Sequence, residues 1–163
     1  MINIRHADEN DLPAMLDIYN EIILNTTAVW HNEPHTLEMR REWFELKNKQ
    51  GFPVFVAEEA GELLGFSTIG PFRPWHGYRF TVENSIYVAA IHRGKGIAKL
   101  LMPPLIEAAK ALGLHAIVAG IEATNETSIT LHKKFGFEEV AHFKQVGFKF
   151  DQWMDLKFLE LIV

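Results

Sequence analysis

An α/β architecture, with one mixed sheet flanked by helices, is what this sequence predicts. Three observations carry that reading. Apolar residues alternate between strand and helix periodicity in the order β α α β β β α β α β β. The chain has 163 residues, 48% of them hydrophobic, which fits one domain with a full core and leaves little room for a second domain. A strand, a glycine-rich turn at Gly94 and Gly96 and an amphipathic helix then follow one another without interruption.

Taken in order, Ile2 to Arg5 alternates as a short strand. Asp11-Leu12-Pro13 opens a helix, with Asp11 as N-cap and proline in the first turn. Leu12, Met15, Leu16, Ile18, Tyr19, Ile22 and Ile23 mark its apolar face, and Asn25-Thr26-Thr27 ends it. A second helix starts at His35-Thr36 and stops before Gly51. Pro53 to Ala57 and Leu63 to Ile69, joined through Glu59-Ala60-Gly61-Glu62, make an antiparallel hairpin. Phe80 to Val88 is a strand, Gly94 to Leu112 a helix, Ala116 to Ile121 a buried strand and Asn125 to Phe135 a short helix. Glu138 to Val146 and Gln152 to Leu159 close the sheet. Pro103-Pro104 removes the amides that would reach the Lys99 and Leu100 carbonyls, which predicts a kink or an irregular turn.

Composition narrows the function. Sixteen basic against twenty-one acidic residues argue against nucleic acid as a partner. Residues 1–62 hold five basic and twelve acidic residues, so a phosphate-bearing ligand favours the rest of the chain, near Arg93, Lys95 and Lys99. No apolar run is long enough to span a bilayer and no basic-then-apolar leader is present, so no membrane partner and a cytoplasmic location are expected. The lack of cysteine excludes disulfides, thiolate metal sites and a Cys nucleophile. His31, Glu33 and His35 are interrupted by Pro34 and match no zinc spacing, so no metal is expected.

Chemistry concentrates where Glu83-Asn84-Ser85-Ile86-Tyr87-Val88 runs into Arg93-Gly94-Lys95-Gly96-Ile97-Ala98-Lys99. Glycines permit close backbone approach, and a helix start offers unpaired N–H groups and the positive dipole end, together a cradle for a diphosphate. A mononucleotide P-loop fails because Ile97 follows Gly96 where Lys is required, and a dinucleotide fingerprint fails because Lys99 fills its third small position. A tight turn with solvated basic residues is the structural alternative.

The pattern that fits is Arg-x-x-Gly-x-Ala, Arg93 to Ala98, which resembles the acetyl-CoA signature of the GNAT N-acetyltransferase superfamily. Asn125 with the following helix to Gly136-Phe137 resembles the second motif of that superfamily. Ile18-Tyr19-Asn20, Thr26 to Trp30, Pro74-Trp75, Thr81 to Val88 and Val146 to Trp153 are similar to one branch, the phosphinothricin and methionine sulfoximine/methionine sulfone acetyltransferases. The resemblance implies a single GNAT domain over residues 1–163, with a splayed strand pair in a mixed central sheet and flanking helices. It implies acetyl-CoA as co-substrate, no metal, and transfer to the α-amino group of a small amino acid analogue. Acetyl-CoA contacts then fall to Ile86, Tyr87, Val88, Gly94, Lys95, Gly96, Ile97, Ala98, Lys99 and Asn125, the last also a natural helix N-cap. Arg73, Pro74, Trp75, Glu83, Asn84 and Ser85 align with acceptor contacts, Arg73 as carboxylate clamp and Trp75 with Phe80 as apolar wall. Glu83 is the expected general base and His132 the expected acid toward the thiolate, where many members carry Tyr. Another amine or a protein N-terminus as acceptor, or a silent CoA-binding sensor domain, are the alternatives. Members are homodimers, and Phe143, Phe148, Phe150, Trp153 and Phe158 suit a dimer face or ordinary core strands.

Overall fold

A computed structural model describes residues 1–163. Seven strands, β1 (Asn3–His6), β2 (Val54–Glu59), β3 (Glu62–Pro71), β4 (Thr81–Val88), β5 (Ala116–Glu122), β6 (Glu138–Lys149) and β7 (Gln152–Ile162), form one sheet in the order β1-β2-β3-β4-β5-β7-β6. Four helices, α1 (Leu12–Asn25), α2 (Leu37–Gln50), α3 (Ile97–Ala111) and α4 (Glu126–Lys134), complete the predicted order of elements. Only β4 and β5 pair in parallel, and α3 is the crossover that such a pair requires.

The sheet separates two cores. Leu101, Met102, Leu105 and Ile129 of α3 and α4 pack on Val82, Ile117 and Leu159, while Met15, Ile22 and Phe44 of α1 and α2 pack on Val56 and Phe66. Strand β2 feeds both by alternation, sending Phe55 and Ala57 to one and Val54 and Val56 to the other.

Three local expectations need correction. Asp11 does not cap α1. Asp8 caps a single 3-10 turn, Glu9–Asp11, that leads into the helix, and the Asp11 carboxylate accepts the Asp8 N–H at 2.8 Å. Burial raises the Asp11 pKa, but hydrogen bonds from Arg5 and Asp8 outweigh it and leave the carboxyl below its ordinary value. Helix α3 runs unbroken through Pro103 and Pro104. Leu101, Met102 and Leu105 are fully buried against the sheet, and that packing carries the helix across two missing bonds. Finally, Phe143, Phe148, Phe150 and Trp153 are exposed on the β6–β7 hairpin rather than buried in core strands.

Pairing between β4 and β5 covers only Thr81 to Glu83 against Ala116 to Val118. Beyond it β4 continues to Val88 and β5 to Glu122 with no contact in the ladder, so the two strands splay. On its other edge β4 pairs with β3 throughout, Val88 lying opposite Gly65, and the Ala89 N–H donates to the Leu64 carbonyl at 2.9 Å. Antiparallel ladders alternate the side to which amides point. The N–H groups of Ile86 and Val88, beyond the β4–β5 pairing, therefore face the opening.

The β6–β7 hairpin turns at Phe150 and Asp151, both with positive φ (52° and 55°). Just before that turn Lys149, only 2% exposed, points inward. Its Nζ donates to the carbonyls of Ile23, Thr26 and Val29 at 2.6, 2.7 and 2.6 Å. Nearby, a side chain on Gly147 would collide with the Trp30 ring, so the hairpin grips the segment that follows α1 at two points.

Candidate active site

A cleft of about 990 Å³ runs between the start of α3, α4 and the end of α1. Val88, Gly94, Gly96, Ile97, Ala98, Lys99 and Asn125 line it as expected, whereas Lys95 is exposed and lies outside the lining. Gly94 and Gly96 adopt φ of +77° and +83° with open space where a side chain would stand. Only glycine takes that conformation without strain while leaving the backbone bare to a ligand. The first backbone bond reaching back from α3 is Leu100 N–H to the Gly96 carbonyl at 3.3 Å. The amides of Ile97, Ala98 and Lys99 are thus the unpaired donors of a helix start, suited to a diphosphate. Lys99 and Lys134 add positive charge, and Glu126 is the one carboxylate on the lining. Arg93 is diverted from phosphate: it pairs with Glu21 and its Nε donates to the Val88 carbonyl at 3.2 Å.

This cleft leads into the splay between β4 and β5, an opening of about 350 Å³ bounded by Ser85, Ile86, Tyr87, Val88, Ala119, Gly120 and His132, among others. Asn125 lines both spaces, and its Oδ1 accepts the Ser128 N–H at 3.2 Å, so it caps α4 while facing the junction. An extended ligand arm laid along β4 meets the free amides of Ile86 and Val88 as an added strand does. Those amides and the glycine turn fit a diphosphate carried on a linear amide-bearing chain, as in coenzyme A.

Glu83 sits at the far end of the splay. It also borders a hollow of about 300 Å³ with Trp30, Arg73, Gly120, Glu122, Leu156 and Phe158. A side chain on Gly120 would come within 2.9 Å of Glu83 Oε1, so the glycine is what lets the carboxylate lie across β5. Burial raises the Glu83 pKa, with the Arg73 guanidinium opposing it. The other carboxylate here, Glu122, is engaged by the Thr124 N–H at 3.1 Å.

His132 is placed differently from expectation. It is 5% exposed, its Nδ1 stands 2.8 Å from the Ser128 carbonyl and its Nε2 3.0 Å from Asn84 Nδ2. A carbonyl partner assigns the proton to Nδ1, leaving Nε2 to accept from Asn84. Burial lowers the His132 pKa against the Ser128 bond, which keeps the ring neutral. Its single N–H is committed away from the opening, so the geometry makes it an orienter of Asn84. His132→Phe is expected to cost about 1–2 kcal/mol of stability through the unpaired Asn84 amide. Its kcat should stay within about threefold of the parent; a loss of a hundredfold would instead identify a proton donor.

The structure brings Arg73, Glu83 and Ser85 toward one side of the sheet, but not the whole expected acceptor set. Asn84 points to the opposite face, against Met102, because side chains alternate along β4. Trp75 is 67% exposed with its ring edge on Tyr78, and Phe80 lies under the Arg79 guanidinium; neither they nor Pro74 line the hollow. Trp30, Leu156 and Phe158 supply the apolar wall instead. Gly120 inside a buried strand was the available signal for close approach there. Trp30 follows a helix end with no periodicity to mark it. His31 and His35 face each other at 5.3 Å in a loop tied to Asn20 through both the amide and the carbonyl of His35.

Comparison with known proteins adds one family match and three relatives. Residues 4–157 match the acetyltransferase (GNAT) domain family. Over 160 residues the chain is 48% identical to the L-methionine sulfoximine/L-methionine sulfone acetyltransferase of Pseudomonas aeruginosa, covering 98% of this chain and 93% of that protein. Ribosomal-protein-alanine N-acetyltransferase from Brucella melitensis superposes with a TM-score of 0.97 at 49% identity over 99% of both chains. The GNAT superfamily phosphinothricin acetyltransferase from Sinorhizobium meliloti, solved with AcCoA, gives 0.96 at 34% identity over 99% of this chain and 88% of that one.

Proposed function

The chain belongs to the GNAT acetyltransferase family, and from that membership and its cleft we propose that it acetylates the α-amino group of small amino acid analogues. Methionine sulfone, methionine sulfoximine and phosphinothricin are the acceptors in view, named by the relatives, with acetyl-CoA as donor and no metal. The observation that carries the reading is the splay of β4 from β5, with free amides at Ile86 and Val88 between a diphosphate cradle and Glu83.

The amides of Gly94 to Lys99 and the side chain of Asn125 would hold acetyl-CoA, which would supply an acetyl group activated as a thioester. The Val88 N–H is the donor available to a carbonyl oxygen in the opening. Glu83 takes the proton of the acceptor ammonium, directly or through water. Arg73 holds the acceptor carboxylate through its two-pronged guanidinium.

Release of CoA measured with methionine sulfone and with an alanine-terminated peptide tests this reading. Methionine sulfone is expected to give a kcat/KM at least about a hundredfold higher. The reverse preference identifies a protein N-terminus acceptor, which the Brucella relative makes the specific second reading. Cofactor binding with no turnover on either identifies a silent sensor. In the same assay Arg73→Ala should raise KM for methionine sulfone about tenfold or more and leave that for acetyl-CoA within about twofold.

The exposed Phe148, Phe150 and Trp153 support a homodimer, for which sedimentation at twice 18.7 kDa is the check. No helix is long and apolar enough to cross a membrane. A cytoplasmic detoxifying role is part of the same reading; deletion of the gene should sensitise cells to methionine sulfoximine.

A further inference from the structure

A second cavity, about 520 Å³, lies between α2 and the sheet, beside the splay and sharing only Ser85 and Tyr87 with its walls. Arg40 lines it and is 3% exposed. Its guanidinium lies 4.4 Å from the Tyr19 ring centre, 4.6 Å from Trp43 and 5.8 Å from Phe66. Stacking of this kind engages the flat faces of the cation and leaves its in-plane donors unused. Nε has no hydrogen-bond partner at all. The acidic groups that act on Arg40 are the phenols of Tyr19 and Tyr87, and burial pushes both up, Tyr87 to about 12, so neither carries a charge at physiological pH.

Lys47 lines the same cavity, with Nζ on the Ile69 carbonyl at 2.7 Å, and burial brings its pKa down to about 8. Glu42 is the single carboxylate on the lining and sits exposed at the rim. A buried cation ordinarily has an anionic partner, because desolvation is otherwise uncompensated. Here two cations share a cavity and neither meets a carboxylate of the protein. A planar fork of N–H donors matches the two oxygens of a carboxylate, and the aromatic walls suit an apolar body rather than a fully hydrated ion.

We propose that this cavity is a binding site for a small carboxylate, its oxygens held by Arg40 and its apolar portion packed against Trp43 and Tyr19. The site is separate from Arg73 and Glu83, and the proposal stands independently of acetyl transfer because its readout is binding alone.

Benzoate titrated into the full chain, followed by the NMR signals of the Arg40 Nε–H and the Trp43 indole N–H, tests it. A saturable shift of both is expected, with Kd below about 1 mM and with the exposed Trp75 and Trp153 indoles unmoved. Arg40→Met should weaken binding at least about tenfold. If that variant fails to fold, Arg40→Lys, which keeps the charge and loses the fork, should weaken it as well. No saturation by about 10 mM, or equal affinity in the variants, overturns the proposal. So does inorganic phosphate at matched ionic strength binding as well as benzoate, which would mark a general anion effect.

Discussion

Replacing Glu83 with glutamine is expected to lower kcat for methionine sulfone by about a hundredfold or more, the usual contribution of a positioned base. The substitution keeps the shape that lies across Gly120 and removes only the ability to take a proton. KM for acetyl-CoA should be unchanged, since the cradle at Gly94 to Lys99 lies at the other end of the cleft. The pH profile gives an independent sign. Burial holds the Glu83 pKa above its ordinary value and a base works only when ionised, so activity rises with pH through that raised pKa. Glu83→Gln should abolish this acid limb. Arg73→Ala, which removes the opposing charge, should move it to higher pH. A kcat within about threefold of the parent, with the acid limb intact, would pass the role of base to another group, Glu122 being the other carboxylate on the hollow.

The second large effect is on stability. Lys149→Met should cost about 3 kcal/mol, because three backbone carbonyls at the end of α1 lose their common donor. A cation at a helix C-terminus also meets the negative end of the dipole, which the thioether does not replace. For a chain of this length the loss corresponds to about 6–12 °C in Tm, readable by thermal melting. The held segment includes Thr26 and Ala28, which line the cleft at the start of α3, the proposed acetyl-CoA site. Acetyl-CoA affinity should therefore fall together with Tm. A melting point within about 1 °C of the parent would show that water replaces the ammonium at no cost.

The order of elements was legible because strand and helix periods are written locally, in residues such as Val82, Ile86 and Val88 on β4 and Ile97, Leu101 and Leu105 on α3. The glycine turn and its open helix start were legible for the same reason, since Gly94, Gly96 and the helix they open are contiguous. What escaped depends on distant partners. Nothing near Arg93 announces Glu21, nothing near Lys149 announces the end of α1, and His132 looks free until Ser128 and Asn84 occupy both nitrogens. Trp75 is marked as a wall only by its neighbours in the chain, whereas Phe158 lines the hollow and meets Gly120 only once β5 and β7 pair. The two prolines of α3 were overruled by burial, a tertiary effect that no local propensity contains.

Strand β4 divides its labour by parity. Its odd positions, Glu83 and Ser85, border the opening, and its even positions, Ile86 and Val88, are rooted in the α3 core while their amides face the same opening. On the proposed function, drift or engineering confined to Glu83 and Ser85 retunes which amine is chosen while the donor machinery is inherited intact. One short ribbon of chain gives selection two independent dials.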